Sequence, residues 1–561
     1  VMVNEWLERF ESALQARDAD AAAALFAPDS YWRDLVAFTW NVKTAEGRDA
    51  VADLVKACDV DASGFRVTES PVAADGVTEA WLEFETSVGR CRGHLRLTGE
   101  GAWTLLTTLE ELKGFEERRP VYVEQEVAQE PYVVVIGGGQ SGIALGARLK
   151  QLGVPALVLD RHDRPGDAWR KRYRTLTLHD PVWYDHLPYL KFPDHWPVFS
   201  PKDKIADWLE MYTRVLEIPY WPRSEVKAVS YNDRWTVTVD HDGETVLLHP
   251  AHVVFATGMA GKPNMPAFPG ADEFEGEQHH SAQHPGPEQY AGRKVVVIGS
   301  NNSAHDICAA LVEHGADVTM VQRSSTHVIR SETLLDLALG DLYSERALAA
   351  GITTERADTL FASLPYRVLP ELQLPVQQQI RERDADLYER LAQAGFEVDW
   401  GEDGTGLVMK FLRRASGYYI DVGASDLVAD GSIKLARGQV TRLTRTAVVL
   451  DDGRELDADL VVYATGYGSM NSFVAELGGA EMAARVGKVW GIGSDTYRDP
   501  GPWEGEQRNM WKPTRQPGLW FHGGNLAQSR YFSRYLALQL KARFEGLPTP
   551  VYGLQEVHHR S

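Results

Sequence analysis

Two glycine-rich turns, each directly behind a run of β-branched residues, constrain this chain more than any other feature. Tyr132 to Ile136 runs into Gly137-x-Gly139-x-x-Gly142, and Lys294 to Ile298 runs into Gly299-x-Asn301-x-x-Ala304. Each stretch reads as strand, tight turn and helix. That order lets a pyrophosphate approach the backbone closely and lie on the positive end of the helix. One such pattern is weak. Two of them, each followed by a polar residue closing a second strand, predict two bound dinucleotides.

The two strand ends differ. Asp160 closes LVLD, eighteen residues past Gly142, where a carboxylate accepts hydrogen bonds from ribose hydroxyls; the alternative is a solvated strand-end aspartate. The second carries Gln322-Arg323-Ser324 in place of an acid. A guanidinium there forks onto a phosphate, so the second site is expected to take NADPH over NADH unless Arg323 serves a surface ion pair.

At 561 residues the chain exceeds the roughly 250 to 300 residues at which a single core stops growing. A net charge of -21 opposes binding to nucleic acid phosphates and anionic lipid. The three cysteines, Cys58, Cys91 and Cys308, form no CxxC pair and no zinc spacing, so no metal is expected and they read as buried small residues. No run approaches the ~20 apolar residues of a membrane helix, and VMVNEWLERFESAL is charged and amphipathic. No membrane association and a cytoplasmic setting are expected.

Residues 1–115 have a separate grammar. Trp6, Leu7, Phe10 and Leu14 share a helical face, two further short helices follow, and strand-like stretches run from Phe65 to Leu109. Helices before an antiparallel sheet indicate an α+β unit. It resembles the cone-shaped fold of nuclear transport factor 2 and the SnoaL-type cyclases, which often enclose a pocket. Trp32, Asp34 and Trp40 are placed to line one; alternatively the tryptophans are core and the unit serves assembly, including a homodimer, or covers its neighbour. Residues 116–130 read as a linker.

From Pro131 on, alternating strands and helices call for parallel sheets with crossover helices. The expected architecture is α/β: two Rossmann-like domains, the second inserted in the first, behind the cone. The first spans 131–285 and resumes over 441–561. The second spans 286–440, with a helical insertion at 332–394 that either roofs an active site or packs on the surface.

Further residues carry a resemblance to the class B flavin-dependent monooxygenases, covering roughly Pro131 to Leu547. GDAWRKRY, Gly166 to Tyr173, is similar to the family's GGxW segment. Phe274-x-Gly276-x-x-x-His280 matches the opening of its FxGxxxHxxx(Y/F/W) signature, whose last position is His284 here. ATG turns recur at Ala256 to Gly258 and Ala464 to Gly466. The missing terminal aromatic departs from typical Baeyer-Villiger enzymes, and LTLHDPVWYDHLPYLKFPDHWPVF is closer to the auxin-type and amine-oxygenating branches.

The resemblance implies FAD on Gly137, Gly139, Gly142, Asp160, Arg161, Gly166, Trp169, Gly466, Asn525 and Gln528. It implies NADPH on Gly299, Asn301, Asn302, Ser303, Ala304, Arg323 and Ser324. His179 is the candidate catalytic group, at the position where related enzymes often place an asparagine beside the flavin; a structural histidine is the alternative. In the family, NADPH reduces the flavin, oxygen adds at carbon 4a, and the resulting (hydro)peroxyflavin delivers one oxygen atom to a small organic substrate. An amine nitrogen or sulfide sulfur is the expected target. The alternatives are Baeyer-Villiger oxygenation of a ketone, a flavoprotein reductase or oxidase that releases hydrogen peroxide, and a non-enzymatic module.

Overall fold

The computed structural model describes residues 2–119, 130–493 and 506–557. Most of the expected linker at 116–130 lies outside the described residues. Val133–Ile136, buried at every position, pairs in parallel with Ala156–Leu159 on one side and His252–Phe255 on the other. Burial on both faces explains why the strand is a continuous apolar run and not an alternating one. Tyr220–Trp221 and Leu519–Phe521 complete a five-stranded parallel sheet. The second lobe repeats the plan in the order Glu277–His280, Leu460–Tyr463, Lys294–Ile298, Asp317–Gln322 and Lys434–Arg437. Each lobe also carries a three-stranded antiparallel excursion, residues 224–248 in the first and 440–457 in the second.

The lobe boundaries differ from those expected at 286 and 440. Glu277–His280 already belongs to the second sheet, and Leu460–Tyr463 lies between it and Lys294–Ile298. The return to the first lobe therefore follows Tyr463, and LDADLVVYATGY closes the second lobe before it crosses. An all-apolar parallel strand reads alike in either sheet, so its partner is set by the long-range register. The two crossings run side by side: Gly261 N–H donates to the Gly468 carbonyl and Gly468 N–H to that of Lys262.

The amino-terminal unit wraps a seven-stranded sheet around helices Met2–Gln15, Ala19–Ala24 and Gly47–Ala57. Its interior is filled. Phe10, Phe26, Trp32, Phe38, Phe65 and Phe84 form one network of ring contacts 4.5 to 6.0 Å apart, geometry that adds to burial energy. Asp34 sits at its edge with both oxygens engaged: Oδ1 accepts from Thr107 Oγ1, and Oδ2 from Thr39 Oγ1 and the N–H groups of Phe38 and Thr39. Burial pushes Asp34 up to about 6 against the pull of these bonds. Of the two readings of Trp32, Asp34 and Trp40, the structure favours the core: all three are buried, and aromatic rings pack on Trp32.

This unit docks through buried charge. Arg33 forks onto Glu506, with its Nε 2.7 Å from Oε1 and its Nη2 2.7 Å from Oε2, while Thr44 Oγ1 also donates to Oε1. The pair is nearly solvent-free, and such a pair strongly penalises loss of either partner.

Two buried histidines of the first lobe tie stability to pH. Trp520 Nε1–H donates to Nδ1 of His252 and Trp511 Nε1–H to Nδ1 of His522, each at 3.0 Å. An accepting nitrogen must be bare, and burial holds both rings near 3, below the ordinary 6.5. The unfolded chain binds these protons more readily, so the stabilisation is full above pH 6.5 and is lost as pH falls towards 3. Each ring is expected to cost about 2 kcal/mol between pH 7 and pH 5. Urea unfolding of H522Q should show a pH dependence shallower by about that amount; parallel curves would contradict it.

Candidate functional site

The two glycine turns are built by backbone contact. Gly137 has φ +112°, and a Cβ there would lie 2.2 Å from the Ala256 carbonyl oxygen; one on Gly142 would lie 1.9 Å from that of Gly137. In the second lobe Gly299 has φ +136° and stands in the same relation to Ala464, at 2.2 Å. Only glycine tolerates these approaches. Gly139 has open space where its Cβ would point. The helices that follow, Gln140–Gln151 and Asn302–Glu313, begin with no side-chain cap, which leaves first-turn N–H groups to a ligand. Both turns therefore fit a pyrophosphate.

Asp160 lies beside the first turn: Tyr220 Oη donates to its Oδ2 at 3.0 Å and also reaches the Gly138 carbonyl at 3.2 Å. Arg161 is exposed next to it. Gly166, at φ +91°, packs where a Cβ would strike the Ala206 carbonyl oxygen, and opens the short helix carrying Trp169. The Trp169 indole N–H donates to Gln140 Oε1, at the first residue of the nucleotide helix. In the second lobe, Arg323 and Ser324 follow the strand Asp317–Gln322 and are exposed. Arg323 makes no ion pair among the described residues. Asn302 Oδ1 accepts from Ile420 N–H, tying the helix start to the strand Tyr418–Asp421, and Asn301 Oδ1 accepts from Thr326 Oγ1 at 3.4 Å. Ser303 is half-buried and Ala304 is buried.

Gly466 stands at the crossing. Ala282 N–H donates to Nδ1 of His280, which puts the ring proton on Nε2, and that nitrogen lies 2.9 Å from the Gly466 carbonyl. The signature histidine thus ties the second sheet to the crossing. Its last position, His284, has Nδ1 2.9 Å from Nε2 of His279.

Asn525 and Gln528 form a complete capping box on helix Leu526–Phe544: Asn525 Oδ1 accepts from Gln528 N–H, and Gln528 Oε1 from Asn525 N–H. Their acceptor oxygens are thereby engaged, and the Asn525 amide donates to Tyr184 Oη at 3.1 Å. The N-x-x-Q spacing announces such a box.

His179 is half-buried on a loop of the first lobe, between Ala156–Leu159 and Tyr220–Trp221. Across the seam stands Asp306 of the second nucleotide helix, which accepts from Tyr173 Oη at 2.7 Å. Burial pushes Asp306 up to about 6, while the Tyr173 hydrogen bond and the nearby His179 pull it down. Sequence reasoning singled out neither Tyr173 nor Asp306; the aspartate sits two residues past Ala304, beyond the fingerprint. It also missed Asp358 and Arg530. Arg530 donates through Nε and Nη2 to the two Asp358 oxygens, and through Nη1 to the carbonyls of Tyr184 and His186. Tyr343 Oη donates to Asp358 Oδ1. The insertion thus closes over the first lobe, extending past 394 with helix Gly406–Arg414. Among the described residues no His, Cys, Asp and Glu cluster is arranged to hold a metal ion, and no helix is long and apolar enough to cross a membrane.

Comparison with known proteins agrees with this fold. A family described as pyridine nucleotide-disulphide oxidoreductase matches residues 134–354, and a SnoaL-like domain matches residues 7–108. The indole-3-pyruvate monooxygenase YUCCA1 of Oryza sativa subsp. japonica is 30% identical over 384 residues, covering 67% of this chain and 85% of the relative. A probable indole-3-pyruvate monooxygenase of Arabidopsis thaliana, YUCCA9, is 29% identical, over 63% of this chain and 77% of its own. Among solved structures, cyclohexanone monooxygenase in its open form superposes with a TM-score of 0.51 at 18% identity, covering 74% of this chain and 88% of that one. OTEMO in complex with FAD and NADP gives 0.51 at 16% identity, covering 74% and 86%; both show the shared fold. With such identity to YUCCA1 over most of that relative's length, and two lobes built alike around glycine turns, the chain belongs to the family of flavin-dependent monooxygenases that includes the YUCCA enzymes, here joined to a SnoaL-like domain.

Proposed function

We propose that this enzyme uses NADPH and molecular oxygen to insert one oxygen atom into a small organic substrate, at an amine nitrogen or a sulfide sulfur, with FAD in the first lobe and NADPH in the second. The observation that carries the assignment is the pair of uncapped helices behind glycine turns, one beside an acid and one beside Arg323.

Bound FAD supplies the electron and oxygen chemistry. The chain supplies position and protection. In this reading Gly137, Gly139 and Gly142 admit the FAD pyrophosphate, and Asp160 accepts from the ribose with Arg161 beside it. Gly166 and Trp169 form the adjoining wall. Gly299, Asn301, Asn302, Ser303 and Ala304 take the NADPH pyrophosphate, while Arg323 and Ser324 hold the 2′-phosphate. Gly466, Asn525 and Gln528 frame the crossing and the helix start beside the flavin, where an N-terminus favours negative charge. The insertion excludes water, which strengthens every polar contact beneath it. At the seam, Tyr173 and Asp306 form a hydrogen-bonded acid that faces His179. His179 holds or relays a proton at an imidazole nitrogen there.

The names of the relatives favour a second reading, oxygen delivery at a carbonyl centre, because indole-3-pyruvate is a 2-oxo acid. Purified enzyme with NADPH, tested against amines, sulfides, ketones and 2-oxo acids, separates the two by mass spectrometry of the products. N- or S-oxides support the first reading; esters or decarboxylated acids support the second. Hydrogen peroxide equal to the NADPH consumed, with every substrate, would overturn both.

Arg323→Ala should reduce the efficiency of NADPH use tenfold or more, on the order of 1.4 kcal/mol, and leave NADH use nearly unchanged. Equal losses for both cofactors would refute its phosphate role.

A further inference from the structure

Beyond its aromatic core, the amino-terminal unit makes directed polar contacts with one element of the insertion, the helix Thr354–Ala362. Arg33 Nη1 donates to the Ala362 carbonyl at 2.8 Å. Arg96 Nη1 donates to the Ser363 carbonyl at 3.2 Å, and its Nη2 to Ser363 Oγ at 3.0 Å. Both arginines are buried. They therefore satisfy last-turn carbonyls that the helix cannot pair itself, and place positive charge at its negative end.

The same helix turns Asp358 towards the first lobe, where it holds Arg530 in the bidentate pair described above. Arg530 fixes the Tyr184 and His186 carbonyls at 2.7 and 2.8 Å. Its neighbour Ser529 places Oγ 2.6 Å from Oγ of Ser141, inside the first turn of the nucleotide helix. Helix Thr354–Ala362 and the chain at Ser529 and Arg530 thus link the contacts of Arg33 and Arg96 to those at Tyr184 and at Ser141 in the first turn of the nucleotide helix.

We propose that the SnoaL-like domain is a positioning domain: by clamping helix Thr354–Ala362 through Arg33 and Arg96, it sets Asp358 and Arg530, and through them the wall of the flavin site. Arg33, Arg96 and Asp358 are positioning residues in this account. The inference rests on the proposed function only for what that wall encloses.

The direct test is hydrogen–deuterium exchange on the full chain, which requires neither cofactor nor turnover. In Arg96→Met, peptides covering 182–190 and 525–531 should exchange at least threefold faster, while Lys294–Ile298 in the second sheet keeps its parent rate. Arg96→Lys, which retains a donor to Ser363, should restore the parent pattern. Should the methionine variant fold poorly, Asp358→Asn breaks the link further along and carries the same expectation. Faster exchange confined to residues 354–366 and the amino-terminal domain would overturn the proposal. On the holoenzyme, NADPH-dependent hydrogen peroxide release without substrate should rise at least threefold in Arg96→Met with KM for NADPH unchanged. Peroxide release at the parent rate would overturn the link to the reaction. Because the exchange arm needs no flavin, its failure is distinguishable from failure of the proposed function.

Discussion

The architecture depends on backbone meeting backbone at the carboxyl ends of two parallel sheets. At Gly137, Gly142 and Gly299 a single methyl group would collide with a carbonyl oxygen at 1.9 to 2.2 Å. These contacts bring the strand, the turn and the following helix close enough that the helix starts at the sheet edge, with its first N–H groups aimed outward. A phosphate is the natural partner for such a start. The same element in two lobes, joined by paired crossings, turns two nucleotide sites towards one seam. Tyr173 and Asp306 are hydrogen-bonded at that seam with His179 nearby, and the proposed function locates the chemistry there.

What was legible in the sequence is what is local. The β-branched runs, the glycine turns and the acid-versus-arginine contrast at Asp160 and Arg323 are each encoded within about thirty residues, and the structure places them at equivalent points of the two lobes. Pairing across long separations was not legible. Leu460–Tyr463 carries no mark of which sheet it joins, because a strand buried on both faces has no polar side to orient it. Asn525 and Gln528 show a different limit: sequence alone favoured a cofactor role for them, whereas the structure engages both in a helix cap. The Tyr173–Asp306 and Asp358–Arg530 pairs join residues 133 and 172 positions apart. No periodicity announces them.

The amino-terminal domain makes the same point in three dimensions. Its pattern identified a cone, and cones in general suggest a pocket, but the number of aromatic side chains at inward positions decides whether one exists. Here six rings and the fully bonded Asp34 fill the space. Its outer face, by contrast, is committed to the rest of its own chain by Arg33 and Arg96. Burying arginine is costly unless its donors are satisfied; Arg33 donates to Glu506, Tyr366 and the Ala362 carbonyl, and Arg96 to Glu79, Thr104 and Ser363. In the proposed account, a SnoaL-like domain thus becomes a support for the wall of an oxidoreductase's site.

The central claim is that the two lobes hold two different dinucleotides at once. Calorimetric titration of the flavin-free protein with FAD, followed by titration of the resulting complex with NADP⁺, tests it most directly. The account predicts one equivalent of FAD, then one equivalent of NADP⁺ with the flavin retained. Displacement of FAD by NADP⁺, or binding of neither, would contradict it.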